Sequence, residues 1–452
     1  MAHTHSRRGF LRCSAYGLGA AAMLTGFERF NLVNALAQSS APNYKALVSI
    51  FLFGGNDGNN MIVPLDAGAY QSYAAVRGAL AHPQSSLLSV STPSNAATYG
   101  LHPGMPELQT LWASGKLAAL ANVGTLVEPV TRQQYLAAPA KRPDDLFSHS
   151  DQQEQWQTSV AKKTGMAPTG WGGRTADRTH ALYGGGSFPM IISTAGATLF
   201  TVGDDSRALV PSSGLRGFDS SASSTTRYNA MRQLLTTDTD ALLVQSASDT
   251  TVRAIDNTQM LNTALASAPA LTTVFPNTGL GNQLKQVAQI ISARGSLNLR
   301  RQIFFCSLGG FDTHNNQLPT QASLLPQLSK AMKAFYDATV ELGVASQVTT
   351  FTLSDFGRTL KPAAGAGTDH AWGNHHFAMG DAVRGGNLYG KFPTFALGGA
   401  DDSGNEGRWI PTTAVDQYAA TLAAWYGLPA SDLTTVFPNI GRFASSDLGF
   451  LM

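Results

Sequence analysis

Cysteine is nearly absent from this chain of 452 residues, which contains only Cys13 and Cys306. A zinc site built from several thiolates is therefore excluded, and so is a fold held together by a network of disulfides. Cys306 lies inside an apolar segment, where a cysteine is usually a small core residue and not a nucleophile.

Charged residues are also few, at 13% of the chain, whereas 43% of the residues are hydrophobic, a composition typical of a globular protein. The N-terminus needs separate treatment. Residues 6–11 read SRRGFL, and a mildly apolar segment leads from them to the small residues Ala35 and Ala37. This pattern predicts a twin-arginine export signal over residues 1–37. A membrane anchor is the alternative, but the segment is short and contains Glu28 and Arg29.

Removing residues 1–37 reverses the sign of the formal net charge of the chain. Four arginines and one glutamate are lost from 31 basic and 29 acidic residues, so the formal net charge changes from +2 to −1. A mature chain with this charge has no electrostatic basis for binding nucleic acid. We expect a periplasmic or secreted protein that is recognised by the twin-arginine translocation machinery and has no membrane span after processing.

Three apolar segments, each bounded by glycine or a polar turn, predict buried strands of a mostly parallel sheet. They begin at Lys45, Arg301 and Gln347, and each runs within a few residues into an aspartate: Asp57, Asp312 and Asp355. Helical patterns alternate with the strands, which indicates one α/β domain over residues 38–452 with helices flanking the sheet. Residues 205–290, which are rich in Ser, Thr and Ala, predict a helical insertion or cap.

The polar residues beyond these strands are the candidate metal ligands. In parallel sheets, ligands bind beyond the carboxyl ends of the strands, so side chains from distant segments can meet there. Carboxylates and imidazoles are ligands for divalent ions. The candidates are Asp57, Asp312, His314, Asp355, Asp369, His370, His375 and His376.

Each candidate also has a structural explanation. Asp57 lies in GGNDGNN, where an aspartate can serve a tight turn, and Asp312 can cap a surface turn. Asp355 can form an ion pair with Arg358 that holds a loop. One member of the adjacent pair His375 and His376 is expected to face away, because neighbours in a strand point in opposite directions.

Two further residues are candidates for catalysis. Ser148 precedes a predicted helix N-terminus, where backbone donors favour an anionic group, so it is a candidate nucleophile activated by a metal. Serine is also frequent in loops before helices, which is the structural alternative, and Ser150 and Thr158 nearby compete for the same role. Arg358 in SDFGRT could bind an anionic ester oxygen through its planar fork of donors.

These motifs resemble a known family. SRRGFL, GGNDGNN, GGFDTHNNQ, SDFGRT and GTDHAWGNHH are similar to those of exported bacterial proteins of domain-of-unknown-function family 1501. That family in turn resembles a distant branch of the alkaline phosphatase and sulfatase superfamily, whose members bind one or two divalent metals at the edge of a parallel sheet. The order Asp57, Ser148, Asp312 with His314, Asp355 or Asp369 with His370, then His375 or His376 follows the order of that superfamily.

The resemblance has two departures. The pair Asp312 and His314 is more tightly spaced than usual, and Phe356 stands where a histidine is expected after Asp355. Either the Asp369–His370 pair supplies the missing ligand or one metal site is incomplete.

The resemblance implies a periplasmic metal-dependent hydrolase of phosphate or sulfate esters. Its substrate would be a small anionic ester or a polymer, and its cofactor one or two divalent ions, with zinc, manganese, calcium and magnesium all open. The alternative is a non-catalytic cell-envelope protein, structural or binding, that retains the hydrolase fold.

Overall fold

A computed structural model describes this chain over residues 44–452, except for residues 95, 163–168, 185, 212–220 and 238–240. The predicted export signal at residues 1–37 lies outside the described residues. No helix in the described part of the chain is both long enough and apolar enough to cross a membrane.

Eleven strands occur among the described residues, and eight of them form one sheet. The strands of that sheet are β1 Lys45–Leu52, β5 Leu117–Gly124, β6 Ile191–Ser193, β7 Arg301–Leu308, β8 Val348–Ser354, β9 Asn374–Met379, β10 Asn387–Tyr389 and β11 Thr413–Ala414. A separate antiparallel sheet contains β2 Ile62–Pro64, β3 Leu88–Thr92 and β4 Ala97–Leu101.

The large sheet is mostly parallel, as the sequence predicts. Its strand order is β10-β5-β9-β8-β1-β7-β6, and β11 extends the pairing of β5. β1 lies between β7 and β8 and is parallel to both, while β9 is antiparallel to its neighbours β5 and β8. The three apolar segments that end at aspartates are therefore adjacent in the centre of the sheet.

The helices of the described residues are α1 Gly58–Met61, α2 Ala67–Arg77, α3 Pro106–Ala113, α4 Arg132–Ala137, α5 His149–Thr158, α6 Trp171–Thr179, α7 Ala222–Leu235, α8 Leu242–Ala266, α9 Gly279–Ser292, α10 Gln317–Glu341, α11 Val415–Tyr426 and α12 Leu433–Val436. Several of them flank the sheet: α9 packs against β7, α11 against β1 and β5, and α5 against β8. The α/β class of the fold is thus confirmed.

The helices predicted within residues 205–290 are α7, α8 and α9. α7 and α8 contact each other, and their described side chains are mostly exposed, whereas α9 packs on α10 and β7. Only α7 and α8 therefore have the character of an added cap. Residues from Lys45 onward form one compact unit, and the boundaries of an insertion within it stay a prediction.

Cys306 lies within β7 and is fully buried. Burial raises the pKa of its thiol to about 12, so the reactive thiolate is disfavoured. This agrees with its interpretation as a core residue.

Candidate metal centre

The site lies where the central strands end. Leu52 at the end of β1 pairs with Leu308 of β7 and with Ser354 of β8, so the segments that follow these three strands leave the sheet at the same level. The loop before β9 reaches the same edge, because β9 runs in the opposite direction. Asp312, Asp355 and His370 therefore approach one another although the sequence separates them widely.

A glycine permits this close approach. Gly54 has a φ of +111°, and a Cβ atom there would lie 2.4 Å from the backbone nitrogen of Asp312. The Gly54 N–H also donates to Asp355 Oδ1 at 3.1 Å. The Gly-Gly end of the first strand is thus required so that the loops after β1, β7 and β8 can pack together.

Three side chains converge at this edge: His149, Asp312 and His370. One ligand atom from each lies within 4.8 Å of the others. Asp312 Oδ1 is 3.5 Å from His149 Nε2 and 3.4 Å from His370 Nε2. His149 was not among the predicted ligands, although its neighbour Ser148 was a predicted site residue.

His314 adds a fourth ligand atom. Its Nε2 atom is 3.1 Å from Asp312 Oδ1 and 2.8 Å from His370 Nε2. Ligand atoms at the corners of a tetrahedron around zinc, with bonds of about 2.0–2.1 Å, would be about 3.3 Å apart. The separations of the three Nε2 atoms from Asp312 Oδ1, which are 3.5, 3.1 and 3.4 Å, are close to that value.

The opposite nitrogen of each imidazole contacts an acceptor. His149 Nδ1 is 2.8 Å from Asp355 Oδ2, and His314 Nδ1 is 3.2 Å from Asp369 Oδ1. His370 Nδ1 is 2.7 Å from the carbonyl oxygen of Phe147. Carboxylate and carbonyl oxygens only accept, so each Nδ1 atom donates a proton and each neutral imidazole has its lone pair on Nε2.

These hydrogen bonds leave the Nε2 lone pairs of the three imidazoles near Asp312 Oδ1. The buried Nε2 atom of His149 has no hydrogen-bond partner, and an orphaned buried acceptor is costly. A proton shared between His314 Nε2 and His370 Nε2 would satisfy that one contact but would leave His149 Nε2 without a partner. A divalent cation bound by His149, Asp312 and His370 satisfies these three ligand atoms at once, so the residues present fit a metal ion.

Electrostatics support this arrangement. Burial tends to raise the pKa of Asp312, but the hydrogen bond and charge of Arg358, with His314 and His149 nearby, lower it overall. Burial lowers the pKa of His370, as do the charge of Arg358 and the two nearby histidines, although the Phe147 carbonyl opposes this. Asp312 is therefore held as a carboxylate and His370 as a neutral imidazole, which are the protonation states that bind metals.

Arg358 differs from its predicted role. Its side chain is completely buried, and it donates to the carbonyl oxygens of Gly54, Gly55 and Thr368 as well as to Asp312 Oδ1. A guanidinium so enclosed is not accessible to an ester in this structure. Its contacts instead fix the carboxylate of Asp312 and three loop carbonyls.

Asp57 lies outside the cluster. Its carboxylate accepts hydrogen bonds from Arg77, Gln317 and the backbone N–H of Asn59, and its side chain is fully buried. These contacts cap α1 and tie α2 to α10. The structure gives Asp57 the role of a structural aspartate, which was the alternative that the Gly-rich turn left open.

His375 and His376 both lie within β9, and they face in opposite directions as the strand geometry predicts. His375 Nδ1 accepts from the backbone N–H of Asn122 at 3.1 Å, and its ring stacks on Phe392. The ring of His376 packs against Trp156, with centroids 4.7 Å apart. Burial lowers the pKa of each to about 3, so both are neutral core residues apart from the cluster.

This burial predicts acid sensitivity. An unfolded histidine binds a proton near pH 6.5, whereas folded His375 does so only at about pH 3. The contribution of neutral His375 to the free energy of unfolding is therefore fully present above pH 6.5. It is lost as the pH falls towards 3, by up to about 1.4 kcal/mol per pH unit. In His375→Gln, the free energy of unfolding should fall less steeply between pH 7 and pH 5 than in the wild type, as measured by urea titration. Equal slopes would contradict the prediction.

Ser148 is the N-cap residue of α5, immediately before His149. Its hydroxyl donates to Asp151 Oδ2 at 2.6 Å instead of accepting from the helix backbone. The residue thus lies beside a candidate ligand with a carboxylate to receive its proton. Its role as a nucleophile stays a prediction.

Sequence reasoning missed His149 because no strand ends next to it. It belongs to the connection between β5 and β6, and only the packing of α5 against β8 brings it to the edge. A local signal was present, since His149 directly follows the predicted nucleophile Ser148 at the start of the same helix.

Comparison with solved structures gives matches of low similarity. The PsFucS1 sulfatase from Pseudoalteromonas sp. is 8% identical, with a TM-score of 0.34, over 88% of this chain and 70% of the sulfatase. The C-terminal periplasmic domain of EcEptC from Escherichia coli, solved as a complex with Zn, is 10% identical with a TM-score of 0.30. The match covers 76% of this chain and 74% of that domain. A variant of the alkaline phosphatase PafA is 11% identical with a TM-score of 0.30. The match covers 72% of this chain and 65% of the phosphatase. These values are too low for an activity to be transferred.

No curated protein matches this chain. A family described as a protein of unknown function, DUF1501, matches residues 44–405, which is most of the chain. The sequence motifs predicted the same family, and this prediction is confirmed. The protein belongs to the DUF1501 family.

Proposed function

We propose that this protein is an exported metal-dependent hydrolase of phosphate or sulfate esters. The observation that supports the proposal most is the convergence of the Nε2 atoms of His149, His314 and His370 on Asp312 Oδ1. The lowered pKa values of Asp312 and His370 and the acceptors behind each imidazole are consistent with it. Export rests on the twin-arginine motif at the N-terminus.

The ligand set favours one ion of the zinc, manganese or iron class. Imidazole suits these metals, whereas calcium and magnesium prefer an environment composed of oxygen atoms. Two of the three grouped ligand atoms are nitrogens, and the nearby His314 is a further imidazole, which disfavours calcium and magnesium among the ions that the sequence leaves open. The described residues contain one such His/Asp group, so we propose a single ion.

A bound divalent ion would act as a Lewis acid, polarising an ester oxygen and acidifying a hydroxyl or a water molecule. Ser148 Oγ would attack the phosphorus or sulfur atom, and Asp151, which already accepts its hydrogen bond, would receive the proton. The bond from phosphorus or sulfur to the ester oxygen would break, and the alcohol would leave with that proton. Water would then hydrolyse the serine ester, releasing phosphate or sulfate and restoring the hydroxyl of Ser148. The first turn of α5 directs its N–H groups to the same end of the helix, where they would stabilise an anionic group. Arg358 would hold Asp312 in place.

The proposal predicts that Ser148→Ala removes hydrolysis but not metal binding. Purified protein would be assayed for bound metal by elemental analysis and for turnover of aryl phosphate and aryl sulfate esters. We expect about one metal ion per chain in both proteins and at least about a 100-fold loss of turnover in Ser148→Ala, in keeping with the removal of a nucleophile.

Ser150→Ala is the matched control, since Ser150 lies two residues away on the same helix turn and its hydroxyl is 3.2 Å from that of Ser148. It should retain turnover. Full activity in Ser148→Ala would exclude this serine as the nucleophile. A wild-type protein that binds no metal and hydrolyses neither ester class would exclude the proposed function as a whole.

A non-catalytic cell-envelope protein is the second candidate, and one observation favours it. His314 Nε2 lies 3.1 Å from Asp312 Oδ1. If His314 joined His149, Asp312 and His370 as a ligand, four side chains would fill a tetrahedral site, and closed sites of this kind are usually structural. In that case the protein would bind one ion per chain, show no turnover, and lose thermal stability when a chelator removes the ion.

A further inference from the structure

We propose that Asp355 is a positioning residue that fixes the metal-binding tautomer of His149, and not a metal ligand. The inference rests on the metal centre of the proposed function but does not depend on hydrolysis. It reassigns a residue that the sequence groups with the ligands.

The contacts of Asp355 lie behind the imidazole of His149. Asp355 Oδ2 accepts from His149 Nδ1 at 2.8 Å and from Gln153 Nε2 at 2.7 Å. Its Oδ1 atom accepts from the Gly54 N–H at 3.1 Å. The side chain is completely buried, so no water molecule can take over these contacts.

This geometry determines where the lone pair of His149 points. An ionised carboxylate only accepts, so the proton of the neutral imidazole is placed on Nδ1 and the lone pair on Nε2. The Nε2 atom faces Asp312 Oδ1 at 3.5 Å. The ring is also held by Phe356 and His370, whose ring centroids lie 4.8 Å and 4.4 Å away. Asp355 thus prepares His149 to bind a metal before the ion arrives.

Asp369 and His314 offer an internal comparison, because their Nδ1–carboxylate contact has the same chemistry at 3.2 Å. That pair is far more exposed, with 48% of the Asp369 side chain and 40% of the His314 side chain accessible. Water can replace the exposed carboxylate but not the buried one. The two carboxylates should therefore differ in their effect on metal affinity.

The test compares Asp355→Asn with Asp369→Asn. An amide in place of Asp355 keeps the shape but turns one acceptor into a donor. The NH2 group of the asparagine must then point either at the N–H of Gly54 or at the N–H groups of His149 and Gln153, so a donor meets a donor in both orientations. We expect the affinity of chelator-treated protein for Zn²⁺, measured by calorimetric titration, to fall about 10- to 100-fold in Asp355→Asn. The fall in Asp369→Asn should be smaller.

Nitrogen-15 NMR of histidine-labelled, metal-free wild-type protein provides a second measurement that does not depend on Asp355→Asn being folded. The signal of His149, assigned with His149→Gln, should show a proton on Nδ1. A proton on Nε2, or an unchanged affinity for Zn²⁺ in folded Asp355→Asn, would overturn the proposal. If the wild type binds no Zn²⁺, the proposed metal centre fails, whereas the tautomer still decides whether Asp355 positions His149.

Discussion

His149→Ala is expected to lose its metal ion, and with it any metal-dependent turnover. The imidazole of His149 supplies one of the converging ligand atoms, and its buried Nε2 atom has no other partner. Loss of a ligand should cost more than the 10- to 100-fold in affinity that is typical for a residue behind a ligand, so we expect a drop of more than about 100-fold. Elemental analysis and Zn²⁺ titration would measure it.

His375→Gln is the informative control for this experiment. The sequence places His375 in the densest histidine cluster and makes it a candidate ligand, whereas the structure buries it in β9 against Phe392. We expect His375→Gln to bind Zn²⁺ as the wild type does, with a lower stability. If His375→Gln lost the ion and His149→Ala kept it, the ligand set described here would be wrong.

The sheet could be predicted from the sequence because its central strands are continuous apolar runs. Each of β1, β7 and β8 is buried on both faces, which favours β-branched and aromatic residues and leaves no helical period. The edge that carries the site followed from the same pattern, since Asp312 and Asp355 come directly after strands that the register sets side by side.

The role of each polar residue could not be predicted in the same way. Asp355 and Asp312 both follow a strand, yet Asp312 faces the imidazole Nε2 atoms while Asp355 contacts the back of His149. Which side of a ring a carboxylate reaches depends on the path of two loops and on the position of α5. Local sequence contains no information about these long-range distances.

Burial explains why two histidines that the sequence predicts as ligands do not lie at the site. His375 and His376 look like a metal-binding pair in sequence, but β9 passes through the middle of the sheet between β5 and β8, so both side chains enter the core. Phe356, which occupies the place of an expected histidine, packs its ring against His149 and His370. His370, from the loop that also contains Asp369, is the histidine that lies beside Asp312 at this edge.

Asp57→Ala is expected to cause the largest loss of stability. Asp57 and Arg77 form an ion pair in which neither side chain is exposed. The substitution leaves the guanidinium buried, with the carbonyl oxygen of Thr359 at 3.1 Å as its remaining hydrogen-bond partner among the described residues. Removing one partner of a buried pair typically costs about 3–5 kcal/mol, a large part of the roughly 5–15 kcal/mol that stabilises a folded protein. Urea unfolding at pH 7 would measure the change.

The double variant Asp57→Ala/Arg77→Met separates the two roles that the sequence left open for Asp57. If the aspartate serves to neutralise a buried guanidinium, removing both charges should restore part of the lost stability, because no unpaired charge remains. The folded fraction of either variant should still bind Zn²⁺ with wild-type affinity, since Asp57 contacts Arg77, Gln317 and the Asn59 backbone and not the converging histidines. A stable Asp57→Ala protein that fails to bind Zn²⁺ would instead make Asp57 a ligand.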